Sequence, residues 1–216
     1  MFSSEFWSIV GLSIRVTGTA VLLSALIGLP VGTWVGLSRR RTAAVLRWLA
    51  HVGMALPPVV VGLAIYLLLS RSGPLGSLGW LYTPAAMTAA QFVLALPFVV
   101  GITANVMRAV PASLAEQLLT LGATRGQVSR TILFEARHGL GLALAAAFGR
   151  SLSEVGAVLI VGGNIAGHTR VLTTAIVLET AQGRFAMALL LGAALLSLAA
   201  VANALIFGLQ RGADHV

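Results

Sequence analysis

The sequence predicts an all-α integral membrane protein with about five transmembrane helices. Three observations carry this: long runs without a charged residue, arginines gathered between those runs, and glycines and prolines set inside them. The chain is 58% hydrophobic and 9% charged. About 20 consecutive apolar residues suffice for a helix to cross the hydrocarbon of a bilayer. With 216 residues, the chain is expected to form one membrane unit, a single domain over 1–216.

The first span is expected at 16–38, where 23 residues carry no charge and would extend about 34 Å as helix. Ser24, Gly28, Gly32 and Gly36 recur every fourth residue, a face of small side chains that lets another helix approach closely. Pro30 is expected to kink it. Residues 1–7 include Glu5 and no basic residue, unlike a cleaved signal peptide, so the first span is expected to stay. Arg39, Arg40, Arg41 and Arg47 follow, flanked by Trp34 and Trp48 as interfacial aromatics. The second run, 48–70, contains Pro57-Pro58, which must break or bend it. His51 near its start reads as an interfacial residue.

Residues 71–84 hold Gly73, Pro74, Gly76, Gly79, Trp80 and Tyr82, a turn-rich connection. A third span covers about 85–107, with Pro97 inside it. The fourth, about 139–161, carries Arg150 and Glu154, four apart and so expected on one helix face. Ionisable residues in a span face a bundle interior or a wet path, so the pair reads as a pathway pair or as a neutralised structural one. Residues 164–184 are expected as a polar connection, in which His168, Thr169, Arg170, Thr173 and Thr174 collect donors. The fifth span is 185–210.

Between the third and fourth spans lies the one long polar stretch, 108–138. Ser113 with Glu116 has the capping-box spacing, predicting a helix over 114–121 that Gly122 ends in a left-handed conformation. Thr124 and Gln127 repeat the spacing and open a second helix toward Arg137. Leu114, Leu118 and Leu121 fall on one helical face, suited to a groove on a partner or to the membrane surface.

Charge orients the chain. Nine arginines lie in the first loop, the 108–138 segment and the tail, against Arg71, Arg170 and Arg184 on the other side; Arg15 and Arg150 lie in or near spans. The positive-inside rule puts the nine in the cytoplasm, the N-terminus outside and the C-terminus inside.

Composition also excludes chemistry. All 14 basic residues are arginine, so no phosphate-binding loop lysine or Schiff base exists here. There is no cysteine, hence no disulfide or thiolate metal site. No GxSxG or HExxH run occurs. No catalytic residue, metal or cofactor is expected, and any ATP driving this protein must bind another chain.

The 108–138 segment resembles the cytoplasmic coupling loop of ATP-binding-cassette importer permeases. That pattern is Glu-Ala-Ala, three residues, Gly, nine residues, then Ile-x-Leu-Pro. Glu116 and Gly122 keep the spacing and Ile132 follows Gly122 by ten, whereas Gln117, Leu118 and Phe134-Glu135 depart from it. The flanking Ala95-Leu96-Pro97-Phe98, Leu121-Gly122-Ala123-Thr124-Arg125, Ser153-Glu154-Val155-Gly156-Ala157 and Gly162-Gly163-Asn164-Ile165 are similar to molybdate and tungstate permeases, the tungstate type most closely. The resemblance implies a type I importer permease fold. It implies a pair of these subunits in the inner membrane, in contact with lipid. It further implies two cytoplasmic ATP-binding subunits, an extracytoplasmic binding protein, and tungstate as substrate, with molybdate next. Glu116, Leu118, Leu121, Gly122, Ala123 and Arg125 would then couple to the ATPase. Arg150 and Glu154 would belong to the pathway, and His168 and Arg170 to an outer contact. The alternative is a self-contained secondary transporter or channel for a small anion; no duplicated halves of the kind common in secondary carriers are evident.

Overall fold

The computed structural model describes the backbone of residues 4–211 and the side chains of all of these except 112, 125 and 206–211. The described residues form α-helices and one short 3-10 turn, with no strand. Helix α1 (Ser4–Leu37) starts twelve residues before the uncharged run, because residues 4–15 are apolar enough to continue the helix around Glu5 and Arg15. Its 34 residues reach about 51 Å, well beyond a hydrocarbon core of about 30 Å. Pro30 lies inside the helix without ending it.

The stripe of small residues on α1 is a packing surface. It lies along α4 (Pro84–Ala109), and the two helices run parallel, from Thr19 beside Thr88 to Gly36 beside Met107. A Cβ at Gly28, Gly32 or Gly36 would lie 2.8, 2.6 and 2.6 Å from Val99, Thr103 and Met107. At Gly32 it would also lie 2.8 Å from the Val100 carbonyl, which cannot rotate away. Gly32→Leu is therefore expected to force the helices apart, at a cost of 1–3 kcal/mol or more. Size-exclusion recovery of folded protein should fall sharply. Gly192→Leu, where nothing lies within 4 Å, serves as the control.

The second run is two helices, α2 (Arg41–Met54) and α3 (Pro58–Leu69), bent by 101° at the Pro57-Pro58 break. Pro58 suits the first turn of α3, where its missing N–H leaves no bond unmade. Thr83 caps α4, accepting from the Ala86 N–H, and Pro97 is accommodated within α4. The polar segment folds as α5 (Ala112–Thr120) and α6 (Arg125–Glu135), followed by α7 (Arg137–Leu152).

The fourth span does not run unbroken to Val161. Helix α7 stops at Leu152, and α8 (Gly156–Gly162) begins after a break at 153–155. The run is apolar, but Glu154 and Gly156 leave no reason for the helix to continue there. The polar connection is also more structured than expected. It contains α9 (Leu172–Ala181), whose Leu172, Thr173, Thr174 and Ala175 are buried, before α10 (Phe185–Arg211) closes the chain.

Three helices, α1, α4 and α10, are each long and apolar enough to cross a membrane. The number reaches five when α2 with α3, and α6 with α7 (bent by 62°), each count as one span. The core divides into three clusters. Val16, Met87, Val158 and Val161 centre one among α1, α3, α4 and α8; Ile9, Leu172 and Leu191 join α1, α9 and α10; Met107, Val128 and Ile132 hold the α5–α6 pair to the end of α4.

Candidate functional site

The α5–α6 pair is built by two local signals, of which one differs from expectation. Helix α5 starts at Ala112 with Pro111 before it, and no side chain caps it. Pro111 disfavours helix at Val110 and fixes its own φ near helical values, so the proline sets the start and Ser113 falls inside the first turn. The expected Ser113–Glu116 capping box is therefore not formed. At the other end the expectation holds. Gly122 sits at φ +84°, and the Ala123 N–H returns to the Leu118 carbonyl at 3.0 Å. The second capping box is complete: the Thr124 N–H donates to Gln127 Oε1 at 2.8 Å, and the Gln127 N–H to Thr124 Oγ1 at 3.4 Å.

The leucine face also differs. Leu114 and Leu118 pack inward with Ala123 against Val128 and Ile132 of α6. The stripe is real, but its partner is the next helix of the same chain. What faces outward is Leu121, 83% exposed, Leu119, 50% exposed, and Glu116, also exposed and without an ion pair among the described residues. The Arg125 side chain lies outside the described residues.

The structure brings Arg150 and Glu154 together, with Nη1 to Oε2 at 3.4 Å, although Glu154 is past the end of α7. Glu154 is 4% exposed and Arg150 38%. The carboxylate has a second use the sequence did not suggest: its Oε1 accepts the Ala157 N–H of α8 at 3.0 Å. The Glu154 carbonyl accepts Thr173 Oγ1 of α9 at 2.9 Å, and Gln91 of α4 donates to the Ser151 carbonyl at 3.0 Å. One junction thus fastens α7, α8, α9 and α4. A buried glutamine opposite a helix break was the missed signal.

The outer donor cluster separates. Thr169 and Thr174 are buried and spend their hydroxyls on the Gly162 and Val171 carbonyls, as Thr173 does on Glu154. Arg170 pairs with Glu5 at 3.1 Å. Arg170 and His168 line a cavity of about 460 Å³ that Arg15 also borders. Nearby, the Arg184 guanidinium hydrogen-bonds Glu179 at 2.8 Å and holds its carboxyl below the ordinary range. This depressed value makes the pair's small contribution present at neutral pH and lost as pH falls through it. Among the described residues no group of three His, Asp or Glu side chains is placed to hold a metal.

A bundle of straight and bent apolar helices, with a packed helix pair at its basic end, defines a multi-pass membrane protein. The family model described as binding-protein-dependent transport system inner membrane component matches residues 28–215, and the chain belongs to that family. It is 43% identical over 203 residues to a probable anion ABC transporter permease protein of Haloferax volcanii, covering 92% of this chain and 88% of that one. Identity is 39% over 209 residues to a tungstate uptake system permease of Peptoclostridium acidaminophilum, covering 97% and 92%. It is 30% over 214 residues to a molybdenum transport system permease of Escherichia coli, covering 93% and 89%. Membership decides against the self-contained carrier: this is an importer permease of the inner membrane, of the type I fold.

Proposed function

We propose that this chain conducts a tetrahedral oxyanion, tungstate first and molybdate next, as a single permease domain with its coupling segment at 108–138. Two copies work with two cytoplasmic ATP-binding subunits, which hydrolyse the ATP, and with an extracytoplasmic binding protein; this chain is no enzyme. The observation that carries the reading is the α5–α6 pair. Its inner leucines brace α5 on α6, and its outer face offers Glu116, Leu119 and Leu121 beside the Gly122 turn. A docking element has to be stiff to transmit movement, and this one is held at both helices. The arginine distribution supports the basic end as cytoplasmic and the N-terminus as outside. Arg150 and Glu154 then fasten the helices that border the pathway, and His168 and Arg170 meet the delivered substrate or its carrier.

Tungstate and molybdate are both tetrahedral dianions of nearly equal size. Telling them apart requires fitted, desolvated donors. The buried threonines are already bonded to this chain's own carbonyls, so selectivity is assigned to the binding protein. The test is uptake into proteoliposomes containing the permease and its ATP-binding subunit. Tungstate-loaded binding protein should drive ATP-dependent uptake, and a docking-compatible molybdate-selective one should deliver molybdate through the same permease. If that protein stimulates ATP turnover and yet no molybdate enters, selectivity lies in the permease. If neither metal enters under ATP, the oxyanion assignment fails.

A further inference from the structure

The basic end contains a cavity of about 640 Å³ between the ends of α1 and α4, the start of α2, and α5. Arg39, Arg40, Arg47 and Arg108 line it, with Glu116 as its one carboxylate. Among the described residues none of these arginines is paired with an acid, and Arg47 reaches only the Val35 carbonyl at 3.5 Å. Four arginines around a single carboxylate give the cavity a positive potential, which favours an anion. A second, apolar cavity of about 1030 Å³ adjoins it. Leu37, Ser38, Ala115 and Leu119 border both, and the second continues past Trp34 and Leu133. Charge at one end and apolar lining at the other match an amphiphile.

We propose that one anionic diacyl phospholipid occupies both cavities, its phosphate among the four arginines and an acyl chain along the apolar groove. Basic pockets at the ends of membrane helices suit such headgroups. Of the chain's six acidic residues, Glu116 already lines the cavity, and Glu5, Glu154 and Glu179 are paired elsewhere. A soluble phosphate would leave the apolar half without an occupant. Because Ala115, Glu116 and Leu119 belong to α5, the lipid would rest against the coupling helix. Glu116 and Leu119 border both this site and the proposed docking face, so the lipid would lie at the edge of that face, and its binding is measured without the ATP-binding subunit.

The test is native mass spectrometry of the delipidated full-length permease with added phosphatidylglycerol, phosphatidylcholine of the same chains, or glycerol phosphate. Phosphatidylglycerol should bind about tenfold more tightly than phosphatidylcholine, and glycerol phosphate at equal concentration should not displace it. An arginine near an anionic headgroup contributes roughly fivefold in affinity, so R40Q/R108Q should weaken phosphatidylglycerol by roughly 25-fold. Leu133→Trp, which fills the groove without touching the arginines, should weaken it as well. If the double variant does not fold, Arg39→Gln carries the charge arm, with roughly fivefold expected. Equal binding of the two lipids, or unchanged binding in the arginine variants, would overturn the proposal. Displacement by glycerol phosphate would give the cavity to a soluble anion instead. Loss of dimer by Leu133→Trp with lipid binding intact would give the groove to a second copy.

Discussion

Gly122→Arg should leave the permease inserted and folded but reduce ATP-driven uptake about 5- to 30-fold. Nothing lies within 4 Å of a Cβ at this position, so the first side-chain carbon meets no wall. The backbone is the obstacle: at φ +84° a residue other than glycine pays about 1–2 kcal/mol. Relaxing that strain turns α5 relative to α6 and moves Leu119, Leu121 and Glu116 off their places. A shift of 1–2 kcal/mol in docking corresponds to about a 5- to 30-fold loss. Gly122→Asn separates conformation from bulk, since asparagine enters the left-handed region most readily after glycine; it should retain most of the uptake. Uptake at wild-type level in the arginine variant, with normal amounts in the membrane, would remove Gly122 from the coupling assignment.

The second large effect is expected at Glu154. Glu154→Ala removes the acceptor for the Ala157 N–H and leaves Arg150 without its partner, in one substitution. Breaking a buried pair typically costs 3–5 kcal/mol, although the part exposure of Arg150 places this one toward the low end. The measured quantity is the yield of monodisperse protein after detergent extraction, which should fall severalfold. Glu154→Gln keeps an oxygen for the Ala157 N–H and should lose far less. Exchanging the residues, Arg150→Glu with Glu154→Arg, should not recover assembly, because arginine cannot accept the N–H at the start of α8. Recovery by the exchange would mean that the ion pair alone matters there. Full assembly of Glu154→Ala with failed transport would assign the pair to the pathway instead.

Legibility followed the range of the physics. Apolar run length and arginine placement act locally, so the long helices α1, α4 and α10, the Pro57-Pro58 bend, the Gly122 turn and the Thr124–Gln127 box could be read from the chain. The Ser113–Glu116 box was misread because two local rules compete there, and the proline at 111 sets the helix start. The α7–α8 break escaped because apolar length reports that a segment is buried, without reporting whether it is one helix. It is marked only by what Glu154, Gln91 and Thr173 bond to, residues far apart in sequence. Leu114 and Leu118 teach the same point about the docking surface. Periodicity identified the face, but only packing reveals that α6 covers it and that Leu119 and Leu121 remain. The outer threonines looked like ligands for the same reason: their carbonyl partners lie in other elements.

The most direct measurement of the coupling claim is a photo-cross-link from position 121, the most exposed apolar residue of the docking face. A benzophenone amino acid in place of Leu121, in membranes containing the assembled transporter, should cross-link to the ATP-binding subunit. The yield should change when ATP is added under conditions that prevent hydrolysis. This would also put the basic end in the cytoplasm. Cross-links to lipid or to this chain alone, from a transporter that still takes up its substrate, would contradict docking through α5 and with it the account given for the 108–138 segment.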